Sequence, residues 1–276
     1  MGIAAGSLVS LVFRILETVL WVAIGVMTAR LISVSDRGVY ATAIVVTSAA
    51  GSISSLAAAT GYFVANRQRK AAEVAGNALV MVGPIAALIV LAGLALFATA
   101  DSDDGQIVAF AVLSLAPQIL RNSTVGVLLG ENSLVKYNLA GDVALVLGAV
   151  FIGAWVGLLD HRTALGAMQA WCAAQWVAMV PLALWGRSWL AWSVSHLPDR
   201  KLMKAMLTFT GVTGVASVIG LVHSRVDQLL VIELQGKEAA GIYSSAIAVA
   251  QLLLLFSASV TTAAFARVGS AARDEA

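Results

Sequence analysis

The sequence predicts an all-α polytopic membrane protein with about eight transmembrane helices, and three observations carry that prediction. First, of 276 residues 60% are hydrophobic and only 12% charged, with a mean hydropathy of +0.91. Soluble domains are closer to half apolar and a quarter charged. Second, the apolar residues fall into eight runs near the roughly 20 residues a helix needs to cross the hydrocarbon core. These runs exceed the roughly 10 residues of a barrel strand and lack strict alternation. Third, the connections between runs alternate in charge.

The eight spans are 7–31, 39–63, 77–99, 107–129, 139–159, 163–185, 207–232 and 239–265. Span one is a retained helix and not a cleavable signal, because it lacks a basic leading region and carries Arg14 and Glu17. The connections after spans two, four and six, with the tail, hold ten basic residues, among them Arg69, Lys70, Lys136, Arg187, Arg200, Lys201 and Lys204. Those after spans one, three, five and seven hold four, namely Arg30, Arg37, Arg162 and Lys237, and one of them, Asp101-Ser-Asp-Asp104, is purely acidic. The positive-inside rule then puts both termini in the cytoplasm. The one long connection, 186–206, sits among Trp185, Trp189 and Trp192 and suits an interfacial helix ended by Pro198. The expected organisation is a six-helix bundle over 1–185, a cytoplasmic interfacial linker over 186–206, and two helices with a tail of a second, incomplete bundle over 207–276.

Charge inside the spans is the clue to function. Arg14, Arg121 and Arg225 lie at membrane depth, where a charge costs about 3 kcal/mol on insertion scales and normally faces protein or a wet cavity. Arg14 and Glu17 are three apart on one helical face and can pair. Either an ion pair that locks span one or a cavity lining accounts for them. Arg121 sits in the polar run Pro117-Gln-Ile-Leu-Arg-Asn-Ser-Thr124, beside Gln118 and Asn122. That run reads as a cavity face, with interhelical hydrogen bonding by Asn and Ser as the alternative. His223, Arg225 and Asp227 lie in span seven, where His223 and Asp227 are four apart and within reach of each other. Asp142, near the start of span five, reads as an interfacial residue or cap. Gly25, Gly51, Gly83 and Gly214 suit close helix packing.

Other classes are excluded or unsupported. There is no metal-ligand spacing, no nucleotide-binding glycine loop and no nucleophile–base set, so no enzyme and no cofactor is expected. A net charge of +2 gives no case for nucleic acid. A single cysteine, Cys172, excludes an intramolecular disulfide.

Two segments carry a resemblance. Met27-Thr-Ala-Arg-Leu-Ile-Ser-Val-Ser-Asp-Arg-Gly-Val-Tyr-Ala-Thr-Ala43 resembles the turn between helices one and two of Wzx-type O-antigen and exopolysaccharide flippases. Arg225-Val-Asp-Gln-Leu-Leu-Val-Ile-Glu-Leu-Gln-Gly-Lys-Glu-Ala-Ala-Gly-Ile-Tyr-Ser-Ser-Ala246 resembles their connection between helices seven and eight. Those flippases belong to the superfamily that holds MATE exporters and lipid II flippases. Val34 and Arg37 depart from the usual proline and aromatic. In both segments a Gly-x-Tyr opens an even-numbered helix after an acid, Asp36 or Glu238. The expectation is that the acid caps the helix, the glycine makes a tight turn, and the tyrosine anchors at the interface. Such families have 12 or 14 helices, so the chain is expected to be one part of a longer or split transporter.

The resemblance implies flipping of a lipid-linked oligosaccharide across the bacterial inner membrane by alternating access. In that reading Arg14, Arg121, Arg225, Gln118 and Asn122 meet the substrate, while Glu17, His223 and Asp227 pair charges or couple H⁺ or Na⁺. Expected partners are the lipid-linked oligosaccharide, membrane lipids, polysaccharide polymerase and glycosyltransferases. A MATE-type drug antiporter, a lipid II flippase, and a non-transporting scaffold or remnant are the alternatives.

Overall fold

The computed structural model describes residues 3–53, 56–66 and 69–274, with side chains left undescribed at 3–7, 52–53, 221–225, 248–249 and beyond 250. Ten helices follow one another: α1 (Ile3–Leu31), α2 (Val34–Ile53), α3 (Ala57–Ala65), α4 (Ala71–Thr99), α5 (Asp103–Gly130), α6 (Leu134–Ile152), α7 (Ala164–Val177), α8 (Met179–Trp185), α9 (Arg187–Ser195) and α10 (Arg200–Asp274). A π-helical turn, Gly153–Leu158, extends α6. Among the described residues six stretches are long and apolar enough to cross a membrane: Leu8–Leu31, Ala71–Thr99, Asp103–Gly130, Leu134–Leu158, Ala164–Trp185 and Arg200–Gly220. They match expected spans one, three, four, five, six and seven. The protein is thus an all-α, multi-pass membrane protein.

Expected span two, 39–63, falls on two separate helices, α2 and α3, and is not among those six stretches. Spans seven and eight run through α10, interrupted at Gly236, whose φ of 87° and ψ of −178° no helix can hold. A left-handed φ of this kind is cheap only for glycine. The starts of α5 and α7 carry side-chain caps. Ser102 Oγ accepts from the Gly105 amide at 3.2 Å and Thr163 Oγ1 from the Gly166 amide at 3.1 Å. Asn132 closes α5 with φ of 58°, a conformation asparagine tolerates.

Helix α5 is the hub and packs against α2, α3, α4, α6 and α7. Two apolar cores flank it. One joins α3, α4, α5 and α9 to the start of α10, through Val74, Val82, Val127, Trp189 and Met206. The other joins α1, α2, α6 and α7, through Ile24, Tyr40, Ile152, Met168 and Trp171. The expected 186–206 connection does contain a helix, α9, and it ends before Pro198. The chain then returns to the body at Asp199. Its amide donates to Asn77 Oδ1 at 2.8 Å, and Arg69 reaches its carboxylate at 3.1 Å. The same carboxylate accepts from the Lys201 and Leu202 amides at 2.9 and 3.2 Å, which caps α10.

Candidate functional site

Arg121 is 8% exposed. Its Nη1 donates to Gln175 Oε1 on α7 at 2.8 Å, and it forms no ion pair among the described residues. A guanidinium has five N–H donors. One neutral amide oxygen therefore leaves most of its hydrogen-bonding capacity and all of its charge uncompensated at this depth.

The rest of the α5 polar run has structural work. The break between α2 and α3 frees backbone groups that lipid could not satisfy. Ser123 Oγ accepts from the Leu56 amide at 3.3 Å and Asn122 Nδ2 donates to the Gly51 carbonyl at 3.4 Å. Gln118 Nε2 donates to Ser114 Oγ at 3.4 Å, and its Oε1 lies 3.1 Å from where a Cβ on Gly51 would stand. Of the expected cavity residues on α5, Asn122 therefore ties helices together, Gln118 packs against Gly51, and Arg121 alone carries a charge.

Arg14 and Glu17 pair as their spacing predicts, Nη1 to Oε2 at 2.7 Å, with side chains 42% and 33% exposed. Both act electrostatically on Asp142 of α6. Asp142 is 6% exposed, and its Oδ2 has no hydrogen-bond partner among the described residues. The sequence reading placed it near a span end because span five was drawn from 139. The helix in fact starts at Leu134, and the polar Lys136, Tyr137 and Asn138 in its first turns kept the expected span from reaching that far.

A shared layer sets the depth of these groups. Trp171 of α7 stacks obliquely on Trp21 of α1 at 5.7 Å and lies 3.0 Å from a Cβ position on Gly148 of α6. Glu17 precedes Trp21 by four residues, Asp142 precedes Gly148 by six, and Gln175 follows Trp171 by four. With α7 running opposite to α1 and α6, and about 1.5 Å rise per residue, all three fall about 6–9 Å to the same side of that layer. Gln175 brings Arg121 to the same level. The sequence reading missed Gln175. Its signal was one amide inside the apolar run Ala170-Trp-Cys-Ala-Ala-Gln-Trp176.

At the other end of the helices the two Gly-x-Tyr segments meet each other. A Cβ on Gly38 would collide with the Lys237 carbonyl oxygen, and one on Gly241 with the Val34 carbonyl oxygen. Arg37 Nε donates to the Gly241 carbonyl at 2.9 Å, and Lys237 reaches Asp104 at 3.4 Å. Gly38 and Gly241 thus lie inside helices and permit close approach, which corrects their reading as turn glycines. Capping also differs. Ser33 accepts from the Asp36 amide at 3.1 Å and donates to Asp36 Oδ2 at 2.6 Å, so serine is the cap and Asp36 its reciprocal partner. Tyr40 is buried, and its hydroxyl has no partner among the described residues.

Asp227 accepts from the Tyr243 hydroxyl at 2.5 Å, across the break at Gly236. The side chains of His223 and Arg225 lie outside the described residues, and with them the expected His223–Asp227 pair. The three arginines therefore divide: Arg121 and the Arg14–Glu17–Asp142 group share one depth, and Arg225 is undescribed. Among the described residues no group of His, Cys, Asp and Glu could hold a metal ion.

No protein-family model matches the sequence, and neither does any curated protein. Solved structures do match in shape. A MATE complex with Br-NRF superposes with a TM-score of 0.70 at 18% identity, covering 97% of this chain and 67% of its own. An outward-facing multidrug resistance MATE transporter of the MOP superfamily gives 0.67 at 17%, covering 95% of this chain and 62% of its own. A MOP superfamily transporter from Pyrococcus furiosus, described by a binding pocket of reversed polarity, gives 0.62 at 17%, covering 95% and 62%. The chain therefore shares the fold of these transporters over about two thirds of their length.

Proposed function

We propose that this chain is part of a transporter that moves an anionic, lipid-linked oligosaccharide across the bacterial inner membrane by alternating access. The observation that carries this reading is Arg121, a buried guanidinium with one neutral partner and no carboxylate. A diphosphate head group cannot cross hydrocarbon unaided. A guanidinium binds its oxygens in a bidentate fork and replaces part of its hydration. Glu17 and Asp142 supply a carboxylate pair beside Arg14 that an H⁺ or Na⁺ can neutralise, which gives a physical route to coupling. Residues 1–185 form one rocking unit and the helices after 206 begin the other. By the loop charges the termini and the 186–206 linker are cytoplasmic. The fold shared with exporters supports transport, and the reversed pocket polarity reported for one of them supports a change of substrate charge on the same frame.

A drug antiporter is the competing reading, favoured by the names of the solved neighbours. A site centred on an unpaired arginine disfavours a cationic drug. The test is Arg121→Ala and Arg121→Lys, at matched membrane levels, in cells that export the polymer. The alanine variant is expected to lose export and lysine to retain part of it. Normal export by the alanine variant, with altered drug resistance, would overturn the reading.

A further inference from the structure

A second site lies outside the one just described. Between Phe63 of α3 and the first turns of α10 runs an open groove of about 650 Å³, lined by Phe63, Lys201, Lys204, Thr208, Phe209 and Val212. That volume is in the range of about 300–1,000 Å³ typical of small-molecule sites. We infer that this groove holds one anionic glycerophospholipid of the cytoplasmic leaflet, with its phosphate on Lys201 and Lys204 and an acyl chain along Phe63, Phe209 and Val212.

Four features point to that occupant. Lys201 and Lys204 are three apart, so both ammonium groups rise on one side of α10 at the mouth of the groove. Neither forms an ion pair among the described residues, and the nearby Asp199 is already held by Arg69. Basic pockets between membrane helices on the cytoplasmic side are where anionic head groups settle. The body of the groove is apolar and aromatic: Phe209 stacks on Tyr62 at 4.8 Å and meets Phe63 at 6.4 Å.

The lining also argues against a sugar-bearing head group. The Thr208 hydroxyl donates to the Lys204 carbonyl at 3.0 Å, so its one proton is spent on the helix. The Thr213 hydroxyl, also in the lining, donates likewise to the Phe209 carbonyl at 3.1 Å, which leaves the lysines as the free donors among the lining side chains. Two compact ammonium charges above an apolar slot fit a single phosphodiester with its chain. The inference rests on the cytoplasmic placement of the 186–206 linker proposed above, and not on the identity of the transported substrate.

The test uses the full chain, purified in mild detergent with equimolar phosphatidylglycerol, phosphatidylcholine and a polyprenyl diphosphate, and reads retained lipid by native mass spectrometry. Phosphatidylglycerol is expected to be retained over phosphatidylcholine by at least about tenfold, a difference of about 1.4 kcal/mol. Lys201→Gln/Lys204→Gln should erase that preference, and Val212→Trp, which fills the slot at an exposed position, should lower retention of both phospholipids. Equal retention of the two phospholipids, preferential retention of the diphosphate, or self-association without lipid that Val212→Trp abolishes would each overturn it.

Discussion

Arg121 and Asp142 are opposite cases of a buried charge. Arg121 has a partner that holds its position without neutralising it. Truncating Gln175 to Ala removes that partner, and a lost hydrogen bond to a charged group is worth about 1.5–3 kcal/mol. Gln175→Ala should therefore lower thermal stability in detergent and weaken export together, whereas a merely structural Arg121 would show the stability loss alone. Asp142 carries an oxygen with no donor, so replacing the carboxylate by an amide relieves a desolvated charge. Asp142→Asn should raise the melting temperature and, under the proposed coupling, make transport independent of H⁺ or Na⁺. An unchanged or lower melting temperature would show that Asp142 has a donor in solution. Arg121 was legible in the sequence because an arginine among apolar residues stands out. Gln175 was not, because it lies 54 residues away on another helix, and only packing joins them. Asp142 was misplaced because the first turns of α6, Leu134 to Asn138, contain Lys136, Tyr137 and Asn138 and look like loop.

At the scale of elements, small residues decide which helices touch. A Cβ on Gly126 would meet the Ala57 carbonyl oxygen and the Thr60 hydroxyl, and one on Gly130 would lie 2.6 Å from Val64 Cβ and 2.7 Å from the Gly61 carbonyl oxygen. Helices α3 and α5 are thus in contact at backbone distance, and Gly126→Val should cost about 1–3 kcal/mol by overpacking, read as a fall in melting temperature. Of the glycines that the sequence pointed to, Gly51 does meet side chains, whereas Gly83 and Gly214 face open space. Composition alone cannot separate a glycine that faces a helix from one that faces lipid, since both suit an apolar run. The cap at Asp199 gives a pH prediction. The Leu202 amide first, then the Lys201 amide and the charges of Arg69 and Lys201, hold its carboxyl below the ordinary carboxylate range. A depressed folded value means that the stability it contributes is present above an ordinary carboxylate pKa of about 4 and is lost as pH falls through the folded value. Asp199→Asn keeps a capping oxygen but loses the bridge to Arg69. Its melting temperature should be lower than wild type at pH 7, and its further fall on acidification smaller. Parallel curves for the two proteins would remove Asp199 from the acid response.

For the whole molecule, the contact between the two Gly-x-Tyr segments matters most, because it is the contact that the proposed alternating access would have to break. Its strength can be bounded. The exposed Lys237–Asp104 pair is worth at most about 1 kcal/mol. The Arg37 hydrogen bond to the Gly241 carbonyl, made by a charged donor, adds about 1.5–3 kcal/mol. The packing of α2 on α10 adds to these two ties, so they set a lower limit on the latch. Removing the stronger part should then release the end measurably. Arg37→Ala, at about 2 kcal/mol, should raise the separated population by roughly thirtyfold. Modification of a cysteine placed at Gly38 would disturb the contact itself, so the reporter belongs at an exposed neighbour, and Asp104→Cys with Lys237→Cys serves both purposes. The single native cysteine, Cys172, is buried and does not compete for reagent. A short reductively cleavable cross-linker across that pair should stop export and restore it on reduction. In the Arg37→Ala background the same cross-link should form more slowly, because the two ends spend less time together. Full export with the cross-link complete would mean that these ends stay joined throughout the cycle, and that any movement of substrate runs through an opening elsewhere in the fold.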